Sequence, residues 1–339
     1  MFLDAAINFT NIDAYEKIYE DVYIDTKNSV VLDSDLNPIY ETMYEIIFWW
    51  KGTLHGQTLV DPDLRKIEVK RRYEEILAEV KTITEEDVEN AKVIDDSAEA
   101  IYAMSAHGWY PYGHLHDSLL RLFPWRNVEF KKPVVLVSKY NRVVDFPIHL
   151  KAFGYDEDSI FRTAPKYRLI KAKKLYFGVN QAKFWTTSTQ EQYDWMIAGY
   201  MSLFEKDPRE LPEIEGLYLS RNHVGRRGVI NNDEVANLLE KRGFKFLTGE
   251  ESLLEMIELF ARAKMIVGPH GSIFVNTIFC RDTCTIVEFC PNNRRDFSFK
   301  NKTKNALNYH HILLDADTEF NIQIDTNKLN KLLDGGKYE

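Results

Sequence analysis

Between Ala261 and Pro291 the chain reads ARAKMIVGPHGSIFVNTIFCRDTCTIVEFCP. An apolar β-type segment, Met265-Ile266-Val267, follows the end of an amphipathic run. A break comes at Gly268-Pro269-His270-Gly271. From Ser272 a second apolar-periodic run passes through Ile273, Val275, Asn276 and Phe279. Thr285-Ile286-Val287-Glu288-Phe289 is a further strand, closed by Cys290-Pro291. Strand, tight glycine turn, helix and strand make the βαβ unit of a parallel sheet.

The chemistry of that turn suits an anion. A helix N-terminus offers unpaired N–H groups and a positive dipole end, and glycine lets a ligand approach the backbone. His270 adds a donor for a phosphate oxygen. Glu288, expected at the carboxyl end of its strand, can accept two hydrogen bonds from a ribose diol. The same residues also read as a plain turn and a solvent-facing glutamate, because short glycine motifs recur by chance.

Working upstream, Gly216-Leu217-Tyr218-Leu219 is a buried strand ending in Ser220-Arg221, and Arg226-Arg227-Gly228 lies in the loop that follows. Asn231-Asn232-Asp233-Glu234 caps a helix running to Arg242-Gly243. Phe244–Leu247 is the next strand and Ser252–Ala263 the next helix; His311–Leu314 is the last strand. Strands and helices alternate throughout this half. Arg221 would end its strand on the same sheet edge as His270 and Glu288, which brings a guanidinium fork to the proposed diphosphate.

The first half is less regular. Residues 1–95 resist assignment beyond charged, helix-favouring runs at Arg65–Val80 and Glu85–Lys92, the second opened by Thr84 with Asp87 three residues later. Ile46-Ile47-Phe48-Trp49-Trp50 is a short apolar block, read as a buried core element. Three of the nine histidines fall in His107–Phe123, HGWYPYGHLHDSLLRLF, beside aromatic rings and Asp117. Leu115, Leu119, Leu122 and Phe123 recur at helical spacing, so a helix begins near His114. One reading is a surface helix carrying an Asp117–Arg121 pair at i,i+4; the other is a cleft site with His114, His116 and Asp117 as proton acceptors. Pro133–Ser138 is a strand, a helical stretch runs to Phe153-Gly154, and Tyr167–Phe177 is one or two strands. Residues 178–208 read as a helical bridge.

These motifs together resemble glycosyltransferase family 61. Phe260-Ala261, Ile266-Val267-Gly268, His270-Gly271, Asn276, Phe279, Val287-Glu288 and Pro291 follow its C-terminal signature. Ser220-Arg221, Arg226-Arg227, Asn231 and Glu234 are similar to its preceding motif, and Asp117 with the leucines after it to its N-terminal motif. The sequence departs from the family at Ser272-Ile273-Phe274, where Ala-Gly-Leu is usual. It departs again at His114, three residues before Asp117 rather than four. The matching motifs span about residues 100–315.

The resemblance implies an α/β protein of two Rossmann-like domains facing a cleft (GT-B type). The N-terminal domain, 1–200, would hold the acceptor. The C-terminal domain, 201–339, would hold the nucleotide-sugar, with the run Thr326–Leu333 forming a helix that packs back across the joint. It implies an inverting, metal-independent hexosyl- or pentosyltransferase acting on a glycan or other hydroxyl acceptor. Asp117 is then the base, with His114 and His116 in reserve. Arg221, Arg226, Gly268, His270, Gly271, Ser272, Asn276 and Glu288 would hold the donor. The nucleotide-sugar is a co-substrate, so no cofactor is expected. A polysaccharide-modifying transferase of similar architecture, such as a pyruvyl transferase, or a non-catalytic nucleotide- or glycan-binding module are the alternatives.

Composition is that of a folded globular protein rather than a disordered one. The chain has 339 residues, 45% hydrophobic and 28% charged, and a net charge of −9, which argues against a nucleic-acid partner. Cys280, Cys284 and Cys290 give no disulfide framework and no ordinary zinc spacing. Asp33-x-Asp35, Asp156-x-Asp158 and Asp315-x-Asp317 are read as surface carboxylates rather than a metal site. Met1-Phe2-Leu3-Asp4 begins no signal peptide and no apolar run approaches the ~20 residues of a membrane span, so a cytoplasmic location is expected.

Overall fold

The computed structural model describes residues 15–43, 62–104, 115–137, 146–163, 167–179, 189–221, 227–247, 249–293 and 308–338. The chain divides into two compact units, Met1–Ser188 and Thr189–Glu339. The division falls before helix Gln190–Met201, where the sequence suggested 200/201. That helix belongs with the second unit because Tyr200 packs edge-on against Phe279, ring centroids 5.0 Å apart. It starts in a capping box in which Thr189 and Gln192 satisfy each other's backbone N–H groups.

The first unit is built on a mixed sheet. Its strands are β1 (Tyr15–Asp25), β2 (Val30–Leu32), β3 (Lys92–Val93), β4 (Glu99–Tyr102), β5 (Pro133–Val137), β6 (Ile160–Arg162) and β7 (Leu169–Val179). They run β2-β1-β7-β4-β5-β6, with β3 also pairing β7. β1 is antiparallel to β2 and β7; the remaining pairs are parallel. Tyr19, Val22, Ile24, Tyr102, Leu136, Ile170, Leu175 and Phe177 form its core. Helix α1 (Pro62–Val80) and the short α2 (Glu85–Glu89) occupy the two charged runs, and α2 is capped by Thr84 and Asp87 as the sequence suggests. Residues 46–50, the apolar block, lie outside the described residues.

The second unit is a fully parallel sheet of β8 (Gly216–Leu219), β9 (Phe244–Leu247), β10 (Met265–Pro269), β11 (Thr285–Pro291) and β12 (Tyr309–Leu314). The order β12-β11-β10-β8-β9 is that of a doubly wound, Rossmann-like sheet. The chain lays β9 on one side of β8, then returns to lay β10 on the other. The order therefore reverses between β8 and β10, and the carboxyl ends of these two strands border the crevice where such sheets bind ligands.

Strand alternation gives the sheet two apolar faces. Tyr218, Val267, Val287 and Phe289 pack with Val235 and Leu239 of the helix Asn232–Lys241 and with Leu329 and Leu332 of Thr326–Leu333. The terminal helix thus seats in this unit's own core, tied further by Arg242 to Asn330 and Asp334. Tyr309 faces the other layer, where it meets Phe274. Helix Leu253–Arg262, N-capped by Ser252, also belongs to this half.

One element departs from expectation. The run after Gly271 winds as a 3₁₀ helix, Ser272–Phe279, rather than an α-helix. The Asn276 amide donates to Ile273 O at 3.0 Å and the Thr277 hydroxyl to Phe274 O at 2.7 Å. These bonds reach three residues back and tighten the turn, and β-branched Ile273, Val275, Thr277 and Ile278 add crowding that disfavours the α form.

Candidate functional site

The site grows from the ends of β8 and β10. Gly268 stands opposite Glu288 in the β10–β11 register. A Cβ on Gly268 would lie 2.7 Å from Leu219 Cβ and 3.0 Å from Leu219 O, so glycine is what lets β8 and β10 close on each other. Two residues past the end of β8, Arg221 reaches across. A Cβ on Gly271 would sit 2.3 Å from Arg221 Nη1 and 3.2 Å from its Cδ and Cζ, so the guanidinium lies directly over the Gly271 backbone. Gly271 has an extended φ of −172°; its requirement here is space, not handedness.

His270 extends the ladder, its N–H donating to Phe289 O at 2.8 Å. Its side chain is buried, with Nδ1 2.7 Å from Glu288 Oε1. Glu288 Oε2 accepts the Tyr309 hydroxyl at 2.9 Å. Arg221, His270 and Gly271 thus come together at the switch point, and Ser272 opens the 3₁₀ helix beside them.

Two expected donor contacts are placed differently. Glu288 lies in the body of β11 and is fully buried, both oxygens hydrogen-bonded within the fold. The carboxylate therefore holds His270 and does not present itself to a ribose. Asn276 is also buried, its amide donating to Ile273 O and to Met256 Sδ; it shapes the 3₁₀ turn. Arg226 lies outside the described residues.

In the first unit, helix α3 (Leu115–Leu119) carries His116 and Asp117. His114 and the Asp117 side chain lie outside the described residues. Arg121 is not a surface residue. It is buried, its guanidinium over the rings of Tyr102 (5.1 Å) and Phe177 (5.8 Å), with Nη1 donating to Gly178 O. His116 is buried as well. On helix α4 (Phe146–Lys151), His149 is buried, and burial together with the nearby His116 pushes its imidazole down to about 3. It is neutral near physiological pH, a partner of His116 that no motif in the sequence announced.

One carboxylate of each Asp-x-Asp pair is engaged in a turn. Asp33 accepts from the Asp35 and Asn37 N–H groups, and Asp156 caps a 3₁₀ turn by accepting from Ser159 N. Asp317 accepts from Glu319 N and Asn321 N, and these and the Asn321 amide hold its carboxyl below the usual range. Asp315 is bonded by the Asn292 amide. Cys280, Cys284 and Cys290 are buried free thiols. Among the described residues, no three His, Cys, Asp or Glu side chains cluster to hold a metal ion, and no helix is long and apolar enough to cross a membrane.

No curated protein matches the chain. The sequence pattern of the family described as Glycosyltransferase 61, in contrast, matches residues 112–287, from just before α3 to within β11. That span is just over half of the chain and takes in Asp117, Arg221, His270 and Gly271. The chain belongs to glycosyltransferase family 61.

Proposed function

We propose that this glycosyltransferase moves a sugar from a nucleotide-sugar to a hydroxyl group of a glycan acceptor by a single inverting displacement, without a divalent metal. The observation that carries this reading is Arg221 lying over Gly271 next to His270, at the switch point of a parallel sheet. A guanidinium, an imidazole and the first backbone N–H groups of a helix are what a leaving diphosphate requires, since negative charge builds on it as the glycosidic bond breaks. Protein cations then take the role a metal ion plays elsewhere, and Asp33, Asp156 and Asp317 are engaged in turns.

The acceptor hydroxyl must lose a proton as it attacks, and we assign that step to Asp117 on α3. His116 ranks behind it because it is buried. We place the acceptor on the first unit and the donor on the second, the division of roles of a two-domain GT-B enzyme.

A thermal-shift screen of the whole chain against UDP-, GDP-, CMP- and dTDP-sugars tests the reading, followed by turnover in excess EDTA with the positive donor. We expect stabilisation by one donor class, undiminished turnover in EDTA, and a product of inverted anomeric configuration by NMR. Turnover that stops in EDTA and returns with Mn²⁺ or Mg²⁺ would overturn metal independence. Retention of configuration would overturn the single displacement.

A further inference from the structure

Glu288 and Tyr309 stand behind the diphosphate site rather than in it. The carboxylate is fully buried, and its two protein donors are the Tyr309 hydroxyl on Oε2 and His270 Nδ1 on Oε1. A buried carboxylate is costly unless hydrogen-bonded and paired with positive charge. With Tyr309 donating to Oε2, the short Nδ1–Oε1 contact holds one proton, and opposite a carboxylate that proton belongs to His270 Nδ1. Free neutral imidazole can place its proton on either nitrogen; here the fold chooses.

We propose that Tyr309, acting through Glu288, is a positioning residue that fixes the protonation pattern of His270, so that Nε2 meets the donor diphosphate as a proton donor only in the imidazolium form. The proposal rests on the diphosphate reading above. With Nδ1–H committed to Glu288, Nε2 is the nitrogen that gains or loses a proton. Protonated, it donates a charge-assisted hydrogen bond to a phosphate oxygen. Deprotonated, it turns a lone pair on that oxygen. Binding then falls as pH rises through the imidazole titration, more steeply than loss of charge alone would produce.

The groups facing this pair come from three strands. From β11 they are Glu288 itself and the buried thiol of Cys290, two residues on. From β12 they are Tyr309 and His311, the latter opposite Glu288 in register. From the end of β8 comes Arg221, over the neighbouring Gly271. Arg221 opposes a second positive charge at His270, whereas Glu288 and an incoming diphosphate favour it. The carboxylate therefore lets both cations coexist before the donor arrives.

The test combines imidazole ¹⁵N NMR of the full chain without ligand, with His270 signals identified by their loss in His270→Asn, and calorimetric titration of UDP, GDP, CDP and dTDP from pH 5.5 to 8.5. In wild type, neutral His270 should carry its proton on Nδ1, and diphosphate affinity should fall about tenfold per pH unit above the imidazole titration. Tyr309→Phe keeps the ring packed on Phe274 but removes the hydroxyl; His270 should then show both tautomers, and affinity should drop about fivefold. Glu288→Gln removes the negative charge, so the fall in affinity should begin at lower pH. If Glu288→Gln fails to fold, Tyr309→Phe still decides. An Nε2–H tautomer in wild type, or a Tyr309→Phe variant with wild-type tautomer and pH profile, overturns the proposal. Wild type that binds none of the four diphosphates while keeping the Nδ1–H tautomer marks the donor-site reading itself as the failure, and the proposal falls with it.

Discussion

At the scale of single residues, the site separates groups that face a ligand from groups that hold them. Arg221 and His270 carried a readable signal, an arginine ending one apolar strand and a histidine ending another. Glu288 was legible as important but not in its role. A strand-end carboxylate and a strand-interior one look alike until the register is known, and the register sets Glu288 opposite Gly268 and buries it. Tyr309 was invisible, because its function exists only through a contact 21 residues distant in sequence. His149 was missed for the same reason. In the first unit we assign the base to Asp117. Arg121, which could equally have sat at the surface, is buried over aromatic rings. Asp117→Asn keeps size and polarity but removes basicity, and general-base catalysis is worth roughly 10²–10⁴-fold. The variant should lose turnover in that range in a product-formation assay while donor affinity stays at the wild-type level; turnover within tenfold of wild type would exclude Asp117.

At the scale of elements, the second unit was legible and the first was not, for a physical reason. Strands β8 to β11 are short apolar runs bounded by Gly, Pro or charged residues, which is how strands buried on both faces read. β1 is the opposite case. Its Tyr15, Ile18, Tyr19 and Val22 fall at helical spacing among Glu and Lys, yet the segment is a strand because β7 pairs along nearly its whole length. Tertiary pairing overrides the local pattern there. The turn after β10 was readable as a glycine turn, but the 3₁₀ winding depended on side-chain bonds of Asn276 and Thr277 that composition does not announce. Close strand approach gives a prediction at this scale. Gly268→Ala places a methyl group 2.7 Å from Leu219 Cβ and 3.0 Å from its carbonyl oxygen, and overpacking of this kind costs about 1–3 kcal/mol. Urea denaturation should show a lower midpoint, its shift multiplied by an unaltered slope giving about that loss of free energy, and an unchanged midpoint would mean β8 and β10 are not held together as described.

At the scale of the whole molecule, the two units are built on different plans, a mixed sheet closed by an antiparallel strand and a fully parallel doubly wound sheet. That division was only partly readable. The order of elements in the second half points to parallel βαβ units, whereas pairing of β1 with β7 joins segments at opposite ends of the first unit and leaves no local trace. We assign donor recognition to the second unit, where the reversal of strand order brings Arg221 and His270 to adjoining strand ends. Calorimetric titration of the full chain with UDP, GDP, CDP and dTDP, repeated for Arg221→Ala and His270→Ala, tests that claim most directly. A hydrogen bond to a charged group is worth about 1.5–3 kcal/mol, so each variant should bind the preferred diphosphate roughly 10- to 150-fold more weakly than wild type. Equal affinities in wild type and both variants, or no binding of any of the four by wild type, would contradict the account.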